Sequence, residues 1–226
     1  MDDQGYISSA SSNLTDVIVS LLDSLARRTL VPPNEVQASP RENGPACAAI
    51  VLVAIVIEGS VNRLRYFVDN ERSAPPEDGG KGRRREHVLD WLEGRLPADL
   101  HARCEEVFCV RDVIAHAHTW HARTNPFPTL HFAKQPRLHR YGDPRFRRVI
   151  DQRTRRSRLL RLNAFPTRIW RRDAFLAYQT MIDAITALEP LDPTGMNFSN
   201  WGHHSFNEKD LLLPDIARAL TVPDDG

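Results

Sequence analysis

The sequence predicts a mainly α protein: a helical bundle of four to five helices with a basic, partly extended insert and a C-terminal tail. Apolar residues recur with helical spacing in five segments, and runs of Pro, Gly and polar residues separate them. No alternating strand pattern interrupts the first four segments, and the 226 residues suffice to bury a substantial core.

In the first segment Leu14, Val17, Ile18, Leu21, Leu22 and Leu25 form one apolar stripe, with Asn13 as the expected N-cap and Pro32-Pro33 as the stop. A second helix is expected over about 46–68. Its first half is apolar nearly all round, which marks a central helix. The Pro-, Gly- and Arg-rich run 73–85 reads as a loop. A short third helix over 86–96 presents Val88, Leu89, Leu92 and Leu96 and closes at Pro97. The fourth, over 98–120, carries Leu100, Cys104, Val107, Phe108 and Ala115 on one row and Val110, Val113, Ile114 and Ala117 on another.

Beyond Asn125-Pro126 the character changes. Residues 129–132 and 158–165 read as extended, and the basic stretch between them as irregular or a short hairpin. Asp173 is expected to cap a fifth helix bearing Phe175, Leu176, Tyr178, Met181, Ile182, Ile185 and Leu188. A tail follows, with an apolar patch at Leu211-Leu212-Leu213 and a last short helix over 216–220. The expected organisation is a helical domain over 1–189, made of a core bundle (12–121), a basic insert (123–172) and a packing helix (173–188), then a tail over 190–226.

Net charge is +1, but its distribution is lopsided. Between Arg123 and Arg172, fourteen Arg and one Lys stand against two Asp, a net +13, so the rest of the chain carries −12. Such a segment either meets a polyanion or balances the acidic remainder of its own protein. Cys47, Cys104 and Cys109 lie among apolar neighbours without CxxC spacing, so they read as buried thiols of a reducing cytoplasm. The start Met1-Asp2-Asp3-Gln4 has no signal-peptide order. The apolar run 46–57 is short of the roughly 20 residues that span a bilayer, so no membrane partner is expected. A Gly-rich phosphate loop, a Ser-His-Asp or Cys-His arrangement and a long heptad pattern are all missing from the sequence.

One stretch brings a guanidinium, a carboxylate and an imidazole together: Arg111-Asp112-Val113-Ile114-Ala115-His116. Arg is a fixed cation with a planar fork that fits phosphate, and His titrates near neutrality. RNA supplies its own nucleophile in the 2′-hydroxyl, so these groups are sufficient for a cleavage that requires no metal. On its expected helix this stretch resembles the HEPN superfamily, small helical bundles with Arg, a polar residue, three variable residues and His on a late helix. The resemblance covers about 12–121. It implies a homodimer in which two motif copies line one cleft, and many members are metal-independent endoribonucleases of toxin or anti-phage defence systems. Others are non-catalytic.

On a regular helix, positions five apart differ by about 140°, so Arg111 and His116 do not share a face, whereas Asp112 and His116 do. His118 aligns with Arg111 and is a second-rank candidate. The resemblance assigns His116 as general base or acid, Arg111 as phosphate clamp and Asp112 as the group that orients His116. The plainer alternative pairs Arg111 with Glu105 or Glu106 on the helix surface and leaves His116 as a hydrogen-bonded, partly buried ring. Spacings of two and five do not gather His116, His118 and His121 on one side, so neither a metal nor another cofactor is expected.

Glu58, inside the most apolar helix, requires a partner: either Arg63 or Arg65 on its own helix, or Arg111. His203 and His204 read as surface residues. Arg153, Arg155, Arg156, Arg158 and Arg161, with few aromatics among them, suit phosphate contacts better than base stacking. The expectations are therefore an RNA-cleaving homodimer, with a cognate antitoxin or defence partner implied by the resemblance; a non-catalytic module binding nucleic acid; or a scaffold whose basic stretch meets an acidic protein.

Overall fold

A computed structural model of the chain describes residues 11–34, 37–68, 83–115, 122–124, 130–132, 144–151, 153–194 and 202–224, and it is mainly helical. The helices are α1 (Ser11–Ala26), α2 (Pro40–Val68), α3 (Arg83–Leu92), α4 (Ala98–Ala115), α5 (Pro144–Val149), α6 (Arg171–Leu188) and α7 (Leu213–Ala219). Three two-stranded antiparallel hairpins accompany them: β1 (Ala122–Thr124) with β2 (Leu130–Phe132), β3 (Ile150–Asp151) with β4 (Arg156–Ser157), and β5 (His204–Phe206) with β6 (Lys209–Leu211). The second of these lies in the basic stretch between 132 and 158, where irregular structure or a short hairpin is expected.

The central position of α2 follows from its composition. Ala46, Ala49, Ile50, Val53, Ala54, Val56, Ile57, Val61 and Leu64 are all buried, and the helix packs against α1, α3, α4 and α6. At 29 residues it is long and apolar enough to cross a membrane by length and composition, and half of its most apolar window is buried within the protein. Its start lies six residues before the expected Ala46. Ser39 is the N-cap, its Oγ accepting from the Arg41 N–H at 3.3 Å, and Pro40 takes the first position, where no N–H is needed. Pro45 sits inside the helix and cannot donate to the Arg41 carbonyl. The Arg28 guanidinium takes that acceptor instead, so the proline is accommodated without a lost hydrogen bond.

The same end of α2 holds α6 in place. Arg171 is buried, and its Nε donates to both oxygens of the buried Glu42 at 3.1 and 3.0 Å while Nη2 pairs with Oε1. Nη1 and Nη2 also donate to the Arg28 and Thr29 carbonyls, at 3.0 and 3.2 Å, just beyond the end of α1. Asn43 Nδ2 donates to the carbonyls of Pro166 (2.7 Å) and Ile169 (2.9 Å), fixing the short 3-10 turn Pro166–Arg168. Glu42, Asn43 and Arg171 thus tie the starts of α2 and α6 to the chain just after α1 and to the 3-10 turn, pairing loop carbonyls that apolar packing alone would leave without donors.

Several expected boundaries shift. α1 begins at Ser11, so Asn13 lies inside the helix rather than capping it. α6 begins at Arg171, so Asp173 is its third residue and not its cap. Asp173 Oδ2 accepts the Trp170 N–H at 3.0 Å, and Oδ1 accepts the Asn163 N–H at 2.9 Å. Complete burial raises the pKa of this carboxyl against the opposing pull of those donors. α3 stops at Leu92, and Gly94, in the left-handed region at φ 74°, turns the chain into α4. Residues 158–165, expected to be extended, instead form bends with a single bridge from Arg156 to Asn163, because two of their N–H groups are drawn to α4.

The segment expected as a tail packs on the bundle. Phe206, Leu213, Ile216 and Leu220 enter the main core, Tyr178 Oη donates to the Leu213 carbonyl at 3.1 Å, and Gln179 Nε2 donates to the Ala217 carbonyl at 3.1 Å. His204, read from the sequence as a surface residue, is buried, with Nδ1 2.5 Å from Asp16 Oδ1 on α1. Its partner lies 188 residues away, a distance that local reading cannot bridge. The Asn207 N–H, bonded to Asp23 Oδ1 at 2.7 Å, adds a second tie between the β5–β6 hairpin and α1.

Candidate functional site

The expected site residues Arg111 and Asp112 stand near the end of α4 as described, which runs to Ala115. His116 and His118 lie outside the described residues, as does the end of the expected fourth helix. α4 is enclosed on most sides: Leu100, Cys104, Val107, Phe108 and Val110 join the main core, and Cys109 and Val113 face a second cluster made with α5 and β3. Near its end Arg111 and Asp112 are half-buried, with side chains 20% and 15% exposed.

The Arg111 guanidinium is braced from three directions. Its Nη2 lies 3.8 Å from Glu58 Oε2 on α2, its Nε 3.5 Å from Asp112 Oδ1, and its Cζ 5.4 Å from the centre of the Phe108 ring. Glu58 therefore meets the motif helix, while Arg63 lies 3.6 Å from Asp192 and 3.4 Å from the Thr194 hydroxyl. Among the described residues two carboxylates flank this guanidinium, so a phosphate arriving here competes with both. Arg111 joins α2 to α4 and offers an incoming anion a cation that is already oriented.

Glu105 and Glu106, the alternative partners considered for Arg111, are both buried and engaged elsewhere. Glu105 Oε1 accepts from Arg148 Nη2 at 2.5 Å. Glu106 accepts the N–H of Leu159 at 2.6 Å and of Leu160 at 2.7 Å, one on each oxygen. Buried carboxylates persist only when paired or hydrogen-bonded, and both of these are satisfied by the basic insert.

Of the five arginines singled out from the sequence, Arg153 and Arg158 are exposed, whereas Arg155, Arg156 and Arg161 are half-buried. Arg155 and Arg161 adopt φ of 58° and 59°, a conformation that costs a non-glycine residue roughly 1–2 kcal/mol. Burial lowers the Arg155 pKa. The sequence reading missed Arg147 and Arg148, exposed on α5. The Asp151 carboxyl is held below its ordinary pKa, first by the Arg153 backbone N–H at 2.8 Å, with Thr154 and Arg158 adding to the effect.

Among the described residues no group of three or more His, Cys, Asp or Glu could hold a metal. A cleft of about 660 Å³ between α4, α6 and α7 is lined by none of the expected site residues. Its two guanidiniums are already engaged, Arg103 with Asp99 and Asp183, and Arg218 with Asp215. Compared with protein-family models, curated proteins and solved structures, the chain has no match.

Proposed function

We propose that the protein is a metal-independent endoribonuclease of HEPN type, acting in the cytoplasm within a toxin or defence setting and partnered by a cognate antitoxin or defence protein. The observation that carries this reading is the pair Arg111 and Asp112, partly open to solvent, on the same helix that anchors the arginine-rich insert. Arg111 holds the scissile phosphate and stabilises the charge that develops on it. His116 takes the proton from the ribose 2′-hydroxyl as that oxygen attacks phosphorus, and Asp112 orients the ring. The P–O5′ bond breaks, and a second imidazole protonates the leaving oxygen, giving a 2′,3′-cyclic phosphate and a 5′-hydroxyl. His118, or His116 of a second copy, is the candidate for that donor.

A homodimer fits the surface of α2. Ala48, Leu52, Ile55, Gly59, Asn62 and Tyr66 recur at steps of four and three on its uncovered or half-covered face, with Ile55 42% and Tyr66 60% exposed, and Glu58 borders that stripe. A second reading, a non-catalytic nucleic-acid-binding module, rests on the two carboxylates that engage Arg111. Arg111→Ala separates the two. The nuclease reading expects RNA cleavage to fall by about a hundredfold or more while binding persists and EDTA has no effect. No cleavage by the parent protein on any RNA, with binding intact, favours the second.

A further inference from the structure

The insert builds a cationic surface that the Arg111 site does not use. Eight arginines fall within 145–161 against a single acid, Asp151. The fold sorts them: Arg147, Arg148, Arg153 and Arg158 are exposed, and Arg148 keeps 67% of its side chain in solvent even while paired with Glu105. Among the described residues Arg147 and Arg153 make no side-chain ion pair or hydrogen bond.

The platform beneath them is fixed. Ile150 pairs with Ser157 and Asp151 with Arg156, the Arg158 N–H donates to the Val149 carbonyl at 3.0 Å, and Arg158 Nε donates to the Arg148 carbonyl at 2.7 Å. Phe146, Val149, Ile150 and Ala164 bury against Cys109 and Val113 of α4, and Glu106 draws in the bend at Leu159 and Leu160. Glu106 precedes Arg111 by five residues, about 7.5 Å along the helix axis. The four exposed guanidiniums are carried on one fixed module, and among the described residues of 144–161 Asp151 is the one carboxylate that offsets them. The surface is therefore pre-organised for an anion with several charges in a row.

We infer that the face formed by α5 and the β3–β4 hairpin binds the phosphate backbone of single-stranded RNA through Arg147, Arg148, Arg153 and Arg158, independently of base sequence. The inference rests on the nuclease reading for the identity of the polyanion. Base stacking is not part of it, because Phe146, the aromatic residue of this module, is buried. An anionic membrane fits less well: the exposed large apolar residue here is Leu159, and α5 has only six residues.

Four phosphate contacts predict that log K falls with log salt at a slope of about −2.8, roughly a fiftyfold loss of affinity between 50 and 200 mM. The test uses the full chain carrying His116→Ala, to prevent turnover, and a fluorescently labelled mixed-sequence RNA oligonucleotide, with anisotropy read across that salt range. Replacing Arg147 and Arg153 by Gln disturbs no contact, and it is expected to flatten the slope by about 1.4. Adding Arg158→Gln is expected to flatten it further. A slope unchanged in both variants overturns the inference, as does arginine-dependent binding to phosphatidylserine vesicles without binding to RNA. Arginine-dependent RNA binding, together with a parent protein that retains His116 and cleaves no RNA, upholds this surface and sinks the nuclease. Intact cleavage with an unchanged slope does the reverse.

Discussion

Removing Glu42 tests whether a buried ion pair holds the ends of α1, α2 and α6 together. Both side chains are about 95% buried, and Arg171 occupies the first position of α6, where the helix dipole already disfavours a cation. Glu42→Ala leaves that guanidinium buried and short of three of its contacts, with only the Arg28 and Thr29 carbonyls as acceptors. Losing one partner of a buried pair costs about 3–5 kcal/mol. At this chain length that corresponds to a fall of roughly 6–20 °C in melting temperature. Urea unfolding followed by circular dichroism reads the change as a lower midpoint at constant m. Replacing both residues by Met removes the stranded charge, so the double variant is expected to lose less than Glu42→Ala alone. A loss below about 1 kcal/mol for Glu42→Ala, or a double variant equal to the sum of the two single ones, refutes the reasoning.

Burial pushes the Cys47 and Cys104 thiols up to about 12. The folded state thus keeps protons that the unfolded chain releases above about pH 9, and stability falls with rising pH between 9 and 12. The slope approaches roughly 1.4 kcal/mol per pH unit for each thiol. Urea midpoints across that range are expected to fall less steeply in Cys104→Ala than in the parent, and identical slopes would contradict the burial of Cys104. Glu58→Gln removes one of the two carboxylates competing for Arg111, so RNA affinity is expected to rise. Stability should change by less than about 1 kcal/mol, because the pair is partly exposed and 3.8 Å apart. Weaker RNA binding by Glu58→Gln would show that Glu58 orients Arg111 rather than competing for it.

The main helices were legible because their apolar residues repeat at helical spacing over ten or more positions, as Ile18, Leu22 and Leu25 do in α1. Their ends were not, since Ser39 and Asp173 act through hydrogen bonds whose geometry leaves little trace in composition. α5 escaped notice because six residues with three arginines among them give no stripe; Phe146 and Val149 are buried only because α4 offers Cys109 and Val113. Glu105 and Glu106 read as surface charges, yet their partners come from 43 to 54 residues away. Within the candidate site, Arg111, Asp112 and the option of Glu58 were visible in the sequence. The exposure that separates Arg153 and Arg158 from Arg155, Arg156 and Arg161 was not, because it depends on the β3–β4 hairpin and on two left-handed residues of a type that carries no signal for that conformation.

The central claim is tested most directly by the ends left on RNA. Single-stranded RNA incubated with the parent protein in EDTA is expected to carry 2′,3′-cyclic phosphate and 5′-hydroxyl termini, and His116→Ala is expected to yield none above background. Equal cleavage by the variant, or fragments ending in a 3′-hydroxyl, would contradict it.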